Sequence, residues 1–148
     1  MKKTEQVYTT YIRTTPKKLW AAITTPEFCH QYWGGGENHS TWKKGAKWEH
    51  VFPDESEKPM IVGKVLECRP PRRLVLSWVA ADDPKNTSRV SFAIEKIGSM
   101  VCLTVVHGRF MAGSTMPGKV GRGWPRVLSS LKSFLETGQG LDVWAGRK

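Results

Sequence analysis

Cysteine is scarce in this chain of 148 residues, and what there is forms no pattern. Cys29, Cys68 and Cys102 are widely spaced, odd in number and free of any C-x-x-C pair. None of the four histidines (His30, His39, His50, His107) stands at zinc-finger spacing from them. The adjacent Cys29-His30 pair would need metal ligands from elsewhere, so reduced, partly buried thiols are expected, with no metal and no cofactor. Long apolar runs are also missing: none approaches the ~18 residues that cross a bilayer. The opening Met1-Lys2-Lys3-Thr4-Glu5-Gln6 lacks the apolar core and small-residue cleavage site of a secretion signal. A cytoplasmic protein without membrane association is the expectation.

Acidic residues are few, 13 against 23 Lys and Arg, for a net charge of +10. Such a balance suits an acidic partner, but the basic groups are scattered. They occur as Lys17-Lys18, Lys43-Lys44-Lys47, Arg69-Arg72-Arg73, Arg122-Arg126 and Arg147-Lys148. No aromatic platform alternates with arginine as in RNA-binding surfaces, so a nucleic-acid partner is not expected. Catalytic signatures are absent as well. Gly34-Gly35-Gly36 ends a helical pattern instead of opening one, which excludes a phosphate loop, and there is neither a G-x-S-x-G elbow nor H-E-x-x-H. Asp82-Asp83 lies in a polar turn cluster, where both carboxylates stay solvated.

What is present is a run of strands closed by one helix. Val7 to Arg13 alternates as a first strand. Thr15-Pro16 and Thr25-Pro26 each place a capping residue before a proline, opening two short helices, the second ending at Trp33 and the glycines. Strand patterns follow in Trp42–Phe52, Met60–Cys68, Leu74–Val79, Ser88–Lys96 and Met100–His107, joined by turns short enough to make neighbours antiparallel. Trp124, Leu128, Leu131 and Leu135 form one helical stripe, stopped by Gly138 as a left-handed cap. Gly108–Gly123, with five glycines, reads as a long loop and candidate gate. No repeat or linker divides the chain, so one domain over 1–148 is expected.

The order of elements resembles the helix-grip fold, and the motifs narrow it. Thr15-Pro16-Lys17-Lys18-Leu19-Trp20-Ala21-Ala22, Thr25-Pro26-Glu27 and Tyr32-Trp33 resemble the opening of START-like (polyketide cyclase/Bet v-like, SRPBCC) proteins. Gly63-Lys64-Val65-Leu66-Glu67, Pro70-Pro71-Arg72-Arg73-Leu74 and Leu76-Ser77-Trp78 look like their middle strands. Leu103-Thr104-Val105-Val106-His107-Gly108 and Gly123-Trp124-Pro125 are similar to the branch named for the activator of heat-shock-protein-90 ATPase. The resemblance implies an α+β fold: a curved antiparallel sheet of about six strands around a long C-terminal helix, with two short helices after the first strand. It also implies a cavity between sheet and helix.

Seven tryptophans bear on that cavity. Trp33, Trp48, Trp78, Phe92, His107, Trp124 and Leu128 are its candidate lining, an apolar wall with one polar group suited to a small hydrophobic or amphipathic molecule. The same rings could instead fill the space. His107 shares the apolar face of Leu103 and Val105, where it would orient a ligand, act as a base, or be a satisfied core group. Glu67 is its partner or reaches solvent at the strand end. A cyclase- or hydrolase-type enzyme and a chaperone-associated or stress-related interaction module with an acidic partner are the alternative functions; oligomeric state is not readable.

Overall fold

The structure, a computed structural model, describes residues 5–146. Met1–Thr4 and the Arg147-Lys148 pair lie outside the described residues. Seven strands and three helices alternate in the expected order: β1 (Gln6–Ile12), α1 (Pro16–Thr24), α2 (Pro26–Tyr32), β2 (Glu37–Ser40), β3 (Lys47–Val51), β4 (Ile61–Arg69), β5 (Arg73–Ala80), β6 (Thr87–Ile97), β7 (Met100–Gly108) and α3 (Met116–Thr137). They form one antiparallel sheet in the order β1-β7-β6-β5-β4-β3-β2. The strand beyond the expected six is β2, whose sequence Glu-Asn-His-Ser carries no apolar signal.

Both proline-led helices start at their prolines, but only the first has the expected side-chain cap; Thr25 makes no such bond to α2. Thr15 accepts from the Lys18 amide at 3.2 Å, and Pro16 and Pro26 sit in the first turns, where no amide is needed. Alternation in β6 turns Ser88, Val90, Phe92 and Ile94 inward, opposite Val101, Leu103, Val105 and His107 of β7. Trp124, Leu128 and Leu131 of α3 bury into that face and Leu135 packs at its margin, which forms the core. Gly138 caps the helix at φ 89°, its amide bonded to the Phe134 carbonyl.

One expectation fails at the other end of α3. The helix begins at Met116, so Gly118, Gly121 and Gly123 are helical, and the loop taken as a gate shrinks to residues 109–115. Three glycines oppose a helix by about 1 kcal/mol each. Tertiary contacts override them: Met116 is buried, Gln6 Nε2 donates to the Pro117 carbonyl at 2.6 Å, and Val120 packs on the core.

Two irregularities shape the sheet. Trp48 lies opposite Gly63, and its indole N–H reaches past the glycine to the Ser77 carbonyl on β5 at 2.8 Å. A Cβ at residue 63 would stand 1.9 Å from that carbonyl oxygen and 2.5 Å from the indole nitrogen, so only glycine fits. The Lys64 amide turns to the Ser77 hydroxyl instead, at 2.8 Å. At the far side, β1 is an edge strand, and α3 lies along it. Lys132 Nζ donates to the Tyr11 carbonyl, while the Glu136 carboxylate accepts the Arg13 amide at 2.9 Å.

Candidate functional site

All seven residues expected around a cavity come together inside the sheet, each no more than 7% exposed. Trp124, on α3, is the hub. Its ring centroid lies 5.7 Å from Trp33, 5.5 Å from Trp78, 6.0 Å from Phe92 and 6.1 Å from His107. Trp48 lies tilted at 5.0 Å from Trp78, and Leu128 follows one turn along α3. These separations are those of tilted and edge contacts, so the rings close on one another between sheet and helix. Two surface depressions lie outside this ring cluster, the first touching it only at Trp48. One, of about 500 Å³, opens on the outer face of β3–β5 around Lys47, Glu49, Val62, Lys64 and Val79; the other, of about 400 Å³, lies between Asp83–Asn86 and Met111–Thr115.

His107 is wholly enclosed, and both its ring nitrogens are engaged within the protein. The Trp124 indole can only donate, so His107 Nδ1 accepts from it at 3.0 Å and the ring proton resides on Nε2. Nε2–H then donates to Ser88 Oγ at 2.8 Å, and Ser88 donates onward to the Trp78 carbonyl at 2.8 Å. Every donor in this chain has an acceptor. Burial pushes the imidazole pKa down to about 3, so the ring is neutral at physiological pH. Neither a free lone pair nor a free proton is left for acid–base chemistry. Glu67 is not its partner: a bulge between Val65 and Glu67 turns the carboxylate away, onto Arg69 at 3.0 Å and Arg73 at 3.3 Å.

A second buried histidine, not among the candidates, is placed differently. His50 follows Trp48 on the inner face of β3 and is 3% exposed. Asn38 donates through Nδ2 to the Ile23 carbonyl at 3.0 Å, which orients its Oδ1 toward His50 Nδ1 at 2.7 Å. Nδ1 therefore carries the proton and Nε2 is a bare acceptor without a partner. Burial, then His39, push its pKa down to about 3. Trp33 at 4.7 Å and Phe52 at 5.0 Å flank the ring. Trp78 Nε1 is likewise buried without a partner, a bare donor in the middle of the aromatic cluster. Alternation alone could have found His50, since it repeats the Trp48 position two residues on.

Elsewhere the chemistry is plain. Cys29 is buried, with its thiol against the Ala22 and Ile23 carbonyls at 3.3 Å and its pKa pushed up to about 11 by burial. All three cysteines are free. Among the described residues no group of three or more His, Cys, Asp or Glu is arranged to hold a metal, and no helix is long and apolar enough to cross a membrane. Of the basic residues, Lys47 and Lys64 face each other on β3 and β4, and Arg89 follows beyond Ser77 in the same row of the outer face.

The family described as Activator of Hsp90 ATPase homolog 1-like protein matches residues 13–136. No curated protein matches the chain. Among solved structures, CalU16 from Micromonospora echinospora is 23% identical with a TM-score of 0.72, the match covering 93% of this chain and 76% of that one. The Aha1 dimer from Colwellia psychrerythraea is 20% identical with a TM-score of 0.74, covering 93% and 99%. PFC0360w, an HSP90 activator from Plasmodium falciparum, is 19% identical with a TM-score of 0.70, covering 81% and 86%. At these identities the likeness is one of fold.

Proposed function

The chain belongs to the activator of Hsp90 ATPase homolog 1-like family, and from that premise we propose that it binds, without converting it, a small hydrophobic or amphipathic molecule in the helix-grip interior, the molecule parting the rings that close that space here. The observation that carries this reading is the pair of bare polar atoms, Trp78 Nε1 and His50 Nε2, in an interior otherwise walled by rings. Buried polar groups nearly always have partners, and an unmet donor and acceptor among apolar rings is the composition of a ligand site. A molecule with a hydroxyl or carbonyl on an apolar body supplies what they lack. His107 is closed to both ligand and chemistry by its own partners, so the enzyme reading loses its base. Tryptophan emission, titrated with lipids, steroids and aromatic compounds, tests the proposal. A saturable change that weakens about three- to tenfold in Trp78→Phe, the worth of one net hydrogen bond, is expected. Unchanged emission and an unmoved Trp78 indole N–H resonance with every class would overturn it.

One observation favours a second reading, a protein-interaction module. Lys47, Lys64 and Arg89 form a row beside the outer-face depression and have no ion-pair partner among the described residues, unlike Arg69 and Arg73. An acidic partner of the kind a chaperone activator meets would complement that row. Salt-dependent binding to a heat-shock-protein-90 domain, lost in Lys47→Glu/Lys64→Glu, is its test.

A further inference from the structure

Beyond the helix cap, the chain doubles back along α3 and ends its described course over Gly34 and Phe52, beside His50. Ser130 Oγ receives the Leu141 amide at 2.8 Å, and Arg126 Nη1 donates to the carbonyls of Val143 at 3.2 Å and Ala145 at 2.6 Å. Val143 is 2% exposed. The Trp144 indole donates to the Gly34 carbonyl at 3.0 Å and packs 6.0 Å from Phe52, the ring that in turn stands edge-on to His50. The seat is cut to fit: a Cβ on Gly34 would lie 2.0 Å from the indole nitrogen and 2.7 Å from Val143. Gly36, next in the same loop, lies against His50, where a Cβ would come within 2.6 Å of Nε2.

We propose that residues 139–146 are a displaceable strap over a ring-binding site floored by His50, and that the ligand is an uncharged planar ring carrying one N–H or O–H donor. Three features converge on this. The strap has no helix or strand, and side-chain bonds hold it to the body, so lifting it breaks no ladder. The loop beneath it is Gly34-Gly35-Gly36, with positive φ at Gly34 and Gly35, a segment able to yield as the strap leaves. The polar atom below, His50 Nε2, is an acceptor held in its tautomer by Asn38, so it repels an anion and calls for a donor. Trp33 and Phe52 supply the ring faces. Trp144 itself, a flat ring with one N–H, covers Gly34 and Phe52 at the margin of that place. The proposal rests on the ligand-binding reading above and locates its entrance.

The test is chemical replacement of the strap's ring in the full chain. Indole and 1-methylindole, which lacks the donor, are titrated by calorimetry into the wild type and Trp144→Ala. Expected is at least tenfold tighter indole binding by Trp144→Ala than by the wild type. A preference for indole over 1-methylindole of about three- to tenfold is also expected, the worth of one hydrogen bond. In Trp144→Ala, indole should move the His50 Nε2 nitrogen resonance and 1-methylindole should not; adding His50→Phe should erase the preference. Equal indole binding in both proteins would overturn the strap, as would a preference that survives His50→Phe, since the donor would then be meeting Gly34. An unmoved His50 resonance overturns it without recourse to a second variant. The interior reading fails by a different signal, an unmoved Trp78 indole, so the two can fall separately.

Discussion

His107 and His50 sit on the same face of the same sheet, are both buried, and have their pKa pushed down to about 3, yet their surroundings differ in kind. Around His107 each donor meets an acceptor, from the Trp124 indole through Ser88 to the Trp78 carbonyl. Around His50 the same count runs one short: Asn38 and Ile23 settle one side of the ring, and the other ends in a bare lone pair under a glycine loop and a strap. Burial alone thus does not mark a site. What separates a structural histidine from a candidate binding group is whether its second nitrogen has been provided for.

Acid should produce the largest effect, and it treats both histidines alike. Each is neutral when folded and takes up a proton near pH 6.5 when unfolded. The unfolded state therefore binds more protons below that value, and stability, fully present above about pH 6.5, is lost as pH falls toward 3. Each histidine contributes about 1.4 kcal/mol per pH unit, so the pair should cost about 3 kcal/mol per unit. Urea unfolding between pH 6.5 and 4.5 measures this slope. An unchanged slope in the double variant His50→Phe/His107→Phe would show that other groups carry it.

Trp124→Ala comes next. It empties the hub of the ring cluster and strips His107 Nδ1 of its donor, for a loss of about 3–5 kcal/mol by denaturant midpoint. A smaller loss would mean that the cluster collapses to refill the space.

The paired single variants sharpen the contrast most directly. His107→Phe leaves the Trp124 N–H without an acceptor and should cost about 1–3 kcal/mol. His50→Phe strands Asn38 Oδ1 but also removes the unmet Nε2, so the two effects offset and its midpoint should stay within about 1 kcal/mol of wild type. Equal losses would erase the distinction drawn here. The smallest expected effect lies at the glycine-rich start of α3. Gly118→Ala has open space for its methyl and should add about 0.4–1 kcal/mol, whereas Gly121→Ala, 3.3 Å from the Gln6 amide, should add less. No gain at Gly118 would indicate that this turn is not helical in solution.

Much of this architecture was legible because it depends on local pattern. The strict alternation of Ser88–Lys96, the Thr-Pro pairs and Gly138 each dictate one backbone state through sterics, capping or side-chain face. The parts that were not legible depend on contacts distant in sequence. Nothing in Glu37–Ser40 marks a strand until β3 pairs with it, and the glycines of residues 116–123 read as loop until Gln6, on the first strand, pins Pro117. The site was half visible. The aromatic residues stood out by their chemistry, but whether they enclose or fill a space is a matter of ring separations. Alternation could place His50 inside, but its meaning lies in Asn38, on β2, and in Gly36 just before that strand.

The fastening of α3 along β1 also bears on how copies of this chain behave at high concentration. An edge strand offers unmet amides and carbonyls to any passing strand, its own twin included. Here Lys132 and Glu136 already occupy the Tyr11 carbonyl and the Arg13 amide, so this end of the β1 rim is a poor template for growth into fibrils. The helix that builds the interior thereby also guards the chain against self-templated polymerisation.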